Sequence, residues 1–107
     1  MKRGDIVTVS LSGDYGKPRP ALVIQSNLFE EHPSITVLPI TSELRETPLF
    51  RIQIEPNEEN GLQRTSQIMI DKTHTVSRDK VGNPFGNLNE DQILSVNRAL
   101  AVFLGFA

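Results

Sequence analysis

The chain has 107 residues, of which 37% are hydrophobic and 22% charged, with a formal net charge of −2. That length suits one domain, residues 1–107, with a modest core, and the balance of apolar to charged residues excludes a disordered chain. Cysteine is absent, which excludes disulfides and thiolate metal sites, and the longest apolar run, Ala99 to Phe106, is far too short to span a bilayer.

The opening Met1-Lys2-Arg3-Gly4-Asp5 leads into no signal-peptide stretch, so a cytoplasmic protein with no membrane association is expected. A core this small gains from dimerisation, and a homodimer is expected on that ground. The slightly negative net charge speaks against a broadly basic nucleic-acid surface, yet eleven Lys and Arg residues are enough to fill one groove.

Asp5-Ile6-Val7-Thr8-Val9-Ser10-Leu11 alternates with β-branched residues and predicts a strand. Ser12 to Gly16 is a turn cluster. Pro20 to Gln25 is a continuous apolar run, the pattern of a strand buried on both faces. Asn27 is placed to cap one helical turn, which His32-Pro33 ends. Ser34 to Ile40, Leu49 to Ile54, Ser66 to Asp71 and Thr73 to Val76 read as further strands. Pro56 to Gly61 is an acidic loop, and Gly82 to Gly86 is a turn region.

The last element is a helix. Asn89 is its N-cap, Glu90 and Asp91 suit the positive end of the dipole, and Gln92 completes a capping box. Ile93, Val96, Leu100, Phe103 and Leu104 then share one face at helical spacing. Short antiparallel strands with a C-terminal helix packed against them make an α+β or barrel-like domain.

Arg19 stands between two prolines. Pro20 pushes it out of the helical region and Pro18 fixes the dihedral before it, so its guanidinium is held where a loop enters a buried strand. A group fixed this way loses little entropy on gripping a phosphate, although a solvated surface charge has the same local sequence. Thr41 and Ser42 follow the apolar run Ile35 to Ile40, and strand ends hold site residues still. A turn-initiating Thr-Ser pair reads identically.

His32 lies in a turn and His74 stands among threonines, with no two-histidine metal spacing, so surface roles are expected for both. Gly13 to Gly16 lacks the Gly-Lys-Ser/Thr of a phosphate loop. Glu55, Glu58 and Glu59 read as a solvated loop. No metal and no cofactor are expected.

Taken together, Arg3-Gly4-Asp5-Ile6, then Arg19-Pro20-Ala21-Leu22-Val23-Ile24-Gln25-Ser26-Asn27, Pro39-Ile40-Thr41-Ser42, Asn60-Gly61-Leu62, Ser66-Gln67 and Asp71-Lys72 resemble the MazF, PemK and Kid toxin family. The resemblance covers nearly the whole chain, and the order and separation of the pieces make it specific. It implies an SH3-like antiparallel barrel with a C-terminal α-helix, working as a homodimer with single-stranded RNA along the dimer groove. It also implies endoribonuclease toxin activity and a cognate antitoxin, whose acidic disordered tail would fold over that groove.

By the same resemblance, the catalytic residues are Arg19, Thr41 and Asp71, and the RNA-binding set is Lys17, Ser42, Phe50, Thr65 and Gln67. Two departures are visible. Kid-like members carry an arginine where this chain has Met69, and a histidine in the first loop, where Ser12 to Lys17 has none.

Metal-free cleavage of RNA requires the 2′-hydroxyl to attack the adjacent phosphorus, leaving a 2′,3′-cyclic phosphate (or its 3′-phosphate) and a 5′-hydroxyl. A fixed guanidinium stabilises the charge that accumulates, whereas arginine as a class is too basic to serve as the general base. Asp71 is the carboxylate expected in that role. A gyrase poison of the CcdB type shares the implied fold, but that group resembles itself in a C-terminal Trp-Gly-Ile, and this chain ends Leu104-Gly105-Phe106-Ala107. A non-catalytic SH3-like binding module is the other rival.

Overall fold

Alternation along the β-branched runs produces one curled antiparallel sheet in the computed structural model, which describes residues 1–10 and 17–107. Among these residues, β1 (Asp5–Ser10), β2 (Pro18–Val23), β3 (Ser34–Thr41), β4 (Arg51–Ile54), β5 (Ser66–Met69), β6 (His74–Ser77) and β7 (Gly86–Asn87) precede a single helix, α1 (Glu90–Leu104). The strand order is β4-β5-β3-β2-β1-β7, with β6 paired to the remaining length of β3. The turn expected over Ser12 to Gly16, and the last residue of the first expected strand, Leu11, lie outside the described residues.

The long strand β3 organises the sheet. One edge pairs with β2. The other is shared, since Ile40 and Thr41 pair with β5 while Ser34 to Val37 pair with β6. The chain between β5 and β6 must therefore turn away from β3 beside Pro39, which has no N–H to donate. The sheet curls at that point into a half-barrel.

Both faces of the sheet are covered, as the continuous apolar run in β2 suggested. Ile6, Leu22, Leu38 and Ile40 point into one core with Ile54, Ile68, Ile70, Leu88 and Val96. Their strand neighbours Val7, Val9, Ala21, Val23, Ile35 and Val37 form a second core on the opposite face, closed by Val76 and Val81. Neighbouring residues of a strand serve opposite faces, so both must be apolar.

Two pieces of the sequence pattern meet early in the chain. The Arg3 backbone N–H donates to Asn27 Oδ1 at 2.7 Å, and Arg3 Nε donates to the Ile24 carbonyl at 2.8 Å. Asn27 is thus occupied by Arg3. The short 3-10 turn at Asn27–Phe29 is capped by Ser26 instead, whose side chain accepts from Leu28 N. Gly4 adopts φ 94°, a conformation that suits glycine, and its N–H donates to the Val23 carbonyl at 2.8 Å.

The helix has its expected start. Asn89 Oδ1 accepts from Gln92 N at 2.8 Å and Gln92 Oε1 accepts from Asn89 N at 3.2 Å, a reciprocal capping box. Its end differs from expectation. Val96 is buried and Ile93, Ala99 and Leu100 pack on the first core, but from Val102 onward every residue is exposed, Phe103 and Leu104 included. The apolar stripe outruns the sheet beneath it, and Gly105 at φ 82° stops the helix there.

Candidate active site

Prolines shape the site. β2 pairs with β1 along its whole length, from Ile6↔Leu22 to Ser10↔Pro18, but with β3 only over Ala21 to Val23. Pro20, whose place in the register is opposite Ile40, has no N–H to donate, so the β2–β3 ladder stops at Ala21↔Pro39. Carried two residues further, the same register sets Arg19 opposite Thr41. A cleft of about 670 Å³ lies there, lined by the ends of β2 and β3 and by the segments around β5 and β6.

Arg19 and Thr41 both line that cleft, as do Ser42 and Glu43 from the segment after β3. Leu62, Gln63 and Arg64 enter from the loop before β5, Met69 from the end of β5, Lys72 from the turn that follows, and His74 from the start of β6. His74 is paired with Val37, four residues from Thr41 along β3, which sets it about 13 Å from Thr41. The cleft is therefore elongated, with Arg19 and Thr41 at one end and His74 at the other. Three basic side chains, Arg19, Arg64 and Lys72, line it, so the basic groove exists despite the negative net charge.

Thr41 is half-buried, and its Oγ1 accepts from the Glu43 backbone N–H at 3.0 Å. A hydroxyl used once as acceptor keeps its own proton to donate. Glu43 is the carboxylate that lines the cleft among the described residues, and its Oε1 lies 2.7 Å from Arg45 Nη2 in an exposed pair.

Asp71 is placed differently from expectation, because it does not line the cleft. It follows β5 in a turn, its Oδ2 lies 3.6 Å from Lys72 Nζ, and its Oδ1 is buried without a hydrogen-bond partner. Lys72, not Asp71, presents itself to the cleft.

The expected RNA-binding set is also divided. Ser42 lines the cleft. Lys17 is exposed just before β2. Phe50 packs on the first core and its carbonyl accepts from Ile70 N at 2.9 Å. Thr65 Oγ1 donates to Glu55 Oε2 at 2.6 Å. Gln67 is buried, with its amide bonded inside the protein. Met69 stands at the cleft, and its cross-strand partner Arg51 brings Nη2 to 3.6 Å from its sulfur.

The loop that supplies Leu62 to Arg64 is held by Asn60, which is fully buried. Its Oδ1 accepts from Asn57 N and Leu62 N, and its Nδ2 donates to the Glu55 carbonyl. Arg64 carried no signal in the sequence, Lys72 entered only within the Asp71-Lys72 motif and His74 as a surface residue, because it is the fold that brings the three to one cleft. Among the described residues, no group of three or more His, Asp or Glu side chains is arranged to hold a metal ion, and no helix is long and apolar enough to cross a membrane.

Comparison with known proteins agrees with this architecture. A family model described as the PemK-like, MazF-like toxin of type II toxin–antitoxin systems matches residues 2–104. A probable endoribonuclease MazF of Mycolicibacterium smegmatis is 46% identical over 108 residues, covering 100% of this chain and 99% of that protein. The endoribonuclease EndoA of Bacillus subtilis is 26% identical, covering 97% of this chain and 94% of that protein. An endoribonuclease solved in complex with its cognate antitoxin, from a mycobacterial species, superposes with a TM-score of 0.84 at 22% identity, covering 100% of this chain and 97% of that one. That likeness carries the half-barrel and terminal helix as a shared fold. On the family match and the 46% identical relative, the chain belongs to the PemK-like, MazF-like toxins of type II toxin–antitoxin systems.

Proposed function

We propose that this endoribonuclease toxin cuts single-stranded RNA in the cleft between β2 and β3, without a metal, by attack of a 2′-hydroxyl on the neighbouring phosphorus. The observation that carries the reading is the meeting of Arg19 and Thr41 in one cleft, in a chain 46% identical to a probable endoribonuclease.

Each group has a role set by its place. The Arg19 guanidinium faces the non-bridging oxygens and the departing 5′-oxygen, where charge accumulates. The Thr41 hydroxyl donates to the phosphate, since its lone pair already serves Glu43 N. The 2′ proton passes to a carboxylate, and Glu43 takes that role here rather than Asp71 because it lines the cleft beside Thr41. The new 2′-oxygen–phosphorus bond forms as the bond to the 5′-oxygen breaks, and that oxygen takes up a proton from water. Arg64 and Lys72 hold flanking phosphates along the groove.

A cognate antitoxin covers this groove, and the protein is a cytoplasmic homodimer. The exposed apolar end of α1, with Val102, Phe103, Leu104 and Phe106, supports a second copy. No observation favours a gyrase poison over this reading. Incubation with a long unstructured RNA in chelator tests the reaction. Discrete cuts ending in a 2′,3′-cyclic phosphate or 3′-phosphate and a 5′-hydroxyl are expected, and 5′-phosphate ends or a need for divalent ions would refute it.

A further inference from the structure

Gln67 lies on β5 directly opposite Thr41 in the β3–β5 ladder and is 6% exposed. A buried primary amide needs partners for its oxygen and its N–H groups. Gln67 finds them on the backbone of a residue with no strand beside it. Its Oε1 accepts from Arg45 N at 3.0 Å and its Nε2 donates to the Arg45 carbonyl at 3.0 Å. This ring copies the paired exchange between two facing strand residues. The side chain acts as a strand for the loop.

The same oxygen accepts from Arg51 Nη1 at 3.0 Å, and that Nη1 also donates to the Glu43 carbonyl at 2.9 Å. Glu43 N in turn donates to Thr41 Oγ1. The loop leaving β3 is thus pinned at both backbone groups of Glu43 and both of Arg45. Three of those four attachments run through Gln67 or through Arg51, which Gln67 orients.

The geometry points to Gln67 as a positioning residue for cleavage. Its amide fixes the path of Ser42 to Arg45, so that Glu43 N stays on Thr41 Oγ1 and the Thr41 proton is left for the phosphate. This rests on the cleavage reading given above. It replaces an RNA contact at Gln67 with a structural link, through the loop, to Thr41 and Glu43.

The test compares steady-state cleavage by wild type, Gln67→Leu, Gln67→Glu and Arg19→Ala well below their melting temperatures, with amide hydrogen exchange across residues 42–48. In Gln67→Leu, kcat should fall about tenfold to a hundredfold with KM nearly unchanged, and exchange in the loop should quicken. Gln67→Glu keeps the acceptor for Arg45 N and Arg51 but loses the donor to the Arg45 carbonyl, and should recover kcat only in part. If Gln67→Leu does not fold, Arg51→Met cuts the same link and should show the same fall in kcat.

Unchanged kcat in either apolar variant overturns the inference. So does a rise in KM alone, which would make Gln67 an RNA contact, or an activity loss that merely tracks the unfolded fraction. Arg19→Ala separates the two claims. If it cleaves like wild type, the cleavage reading has failed. If it is inactive while Gln67→Leu is fully active, only the positioning role has failed.

Discussion

Arg19 on β2 and Thr41 at the end of β3 face each other across a cleft that opens because the β2–β3 ladder stops at Ala21↔Pro39. Pro20 ends the ladder, and beyond it a guanidinium on one strand and a hydroxyl on the other line the cleft. Pro20 has no N–H to carry the β2–β3 ladder on to Ile40, and Pro39 has none for the strands on the other edge of β3.

Thr41 supplies one oxygen that both accepts from Glu43 N and, in the proposed reaction, donates to phosphate. Thr41→Val keeps the shape and removes both bonds, so cleavage should fall about tenfold to a hundredfold, the worth of a hydrogen bond to a charged group. Thr41→Ser should keep most of the activity. Initial rates on a defined RNA check this, and equal rates for Val and Ser at this position would remove the hydroxyl from the mechanism.

The two carboxylates can be told apart. Glu43 lines the cleft and Asp71 does not. Glu43→Gln should lower cleavage by about a hundredfold or more, the range for a general base. Asp71→Asn should retain far more activity, because its link to the cleft is the Lys72 pair. The reverse ranking would return the base to Asp71.

Attack by the 2′-oxygen makes the substrate sugar part of the chemistry. An RNA carrying one deoxyribose at the cut site should bind with near-normal affinity and remain whole. Gel-resolved products from that substrate decide the point, and cutting at the modified site would exclude this route.

Stability has its own test at Gly86. A Cβ there would come within 2.1 Å of the Asn60 carbonyl oxygen and 2.3 Å of its carbon. Both belong to the backbone that carries the 57–62 loop, so neither can swing aside. Gly86→Ala should lower unfolding free energy by about 2 kcal/mol, read by denaturant or thermal unfolding. It should also loosen the wall carrying Arg64. An unchanged midpoint would mean that the loop is not held there.

The local patterns were readable in the chain. Alternation gave β1, the all-apolar Ala21-Leu22-Val23 gave a strand covered on both faces, and Asn89 with Gln92 gave the helix start. β2 nevertheless begins earlier than its apolar run, at Pro18, because β1 supplies a partner for residues whose own preferences are those of a loop. Gly86, the end of the expected Gly82 to Gly86 turn region, begins a short strand with Asn87 for the same reason, with Ile6 opposite Gly86.

The site divides likewise. Arg19 and Thr41 stand out through neighbouring residues, two prolines and a strand end. Gln67 was expected among the RNA-binding residues, and nothing near it in the sequence reveals that its amide bonds to Arg45, 22 residues away. Phe103 and Leu104 matched a core stripe, yet a helical period does not say where the sheet beneath it stops.

The account depends most directly on Arg19. Single-turnover cleavage of a defined RNA, in chelator, should fall at least a hundredfold or so in Arg19→Ala relative to wild type, while the unfolding midpoint stays close to that of wild type because the side chain is exposed. A folded Arg19→Ala protein that cuts the same sites at near wild-type rate would contradict it.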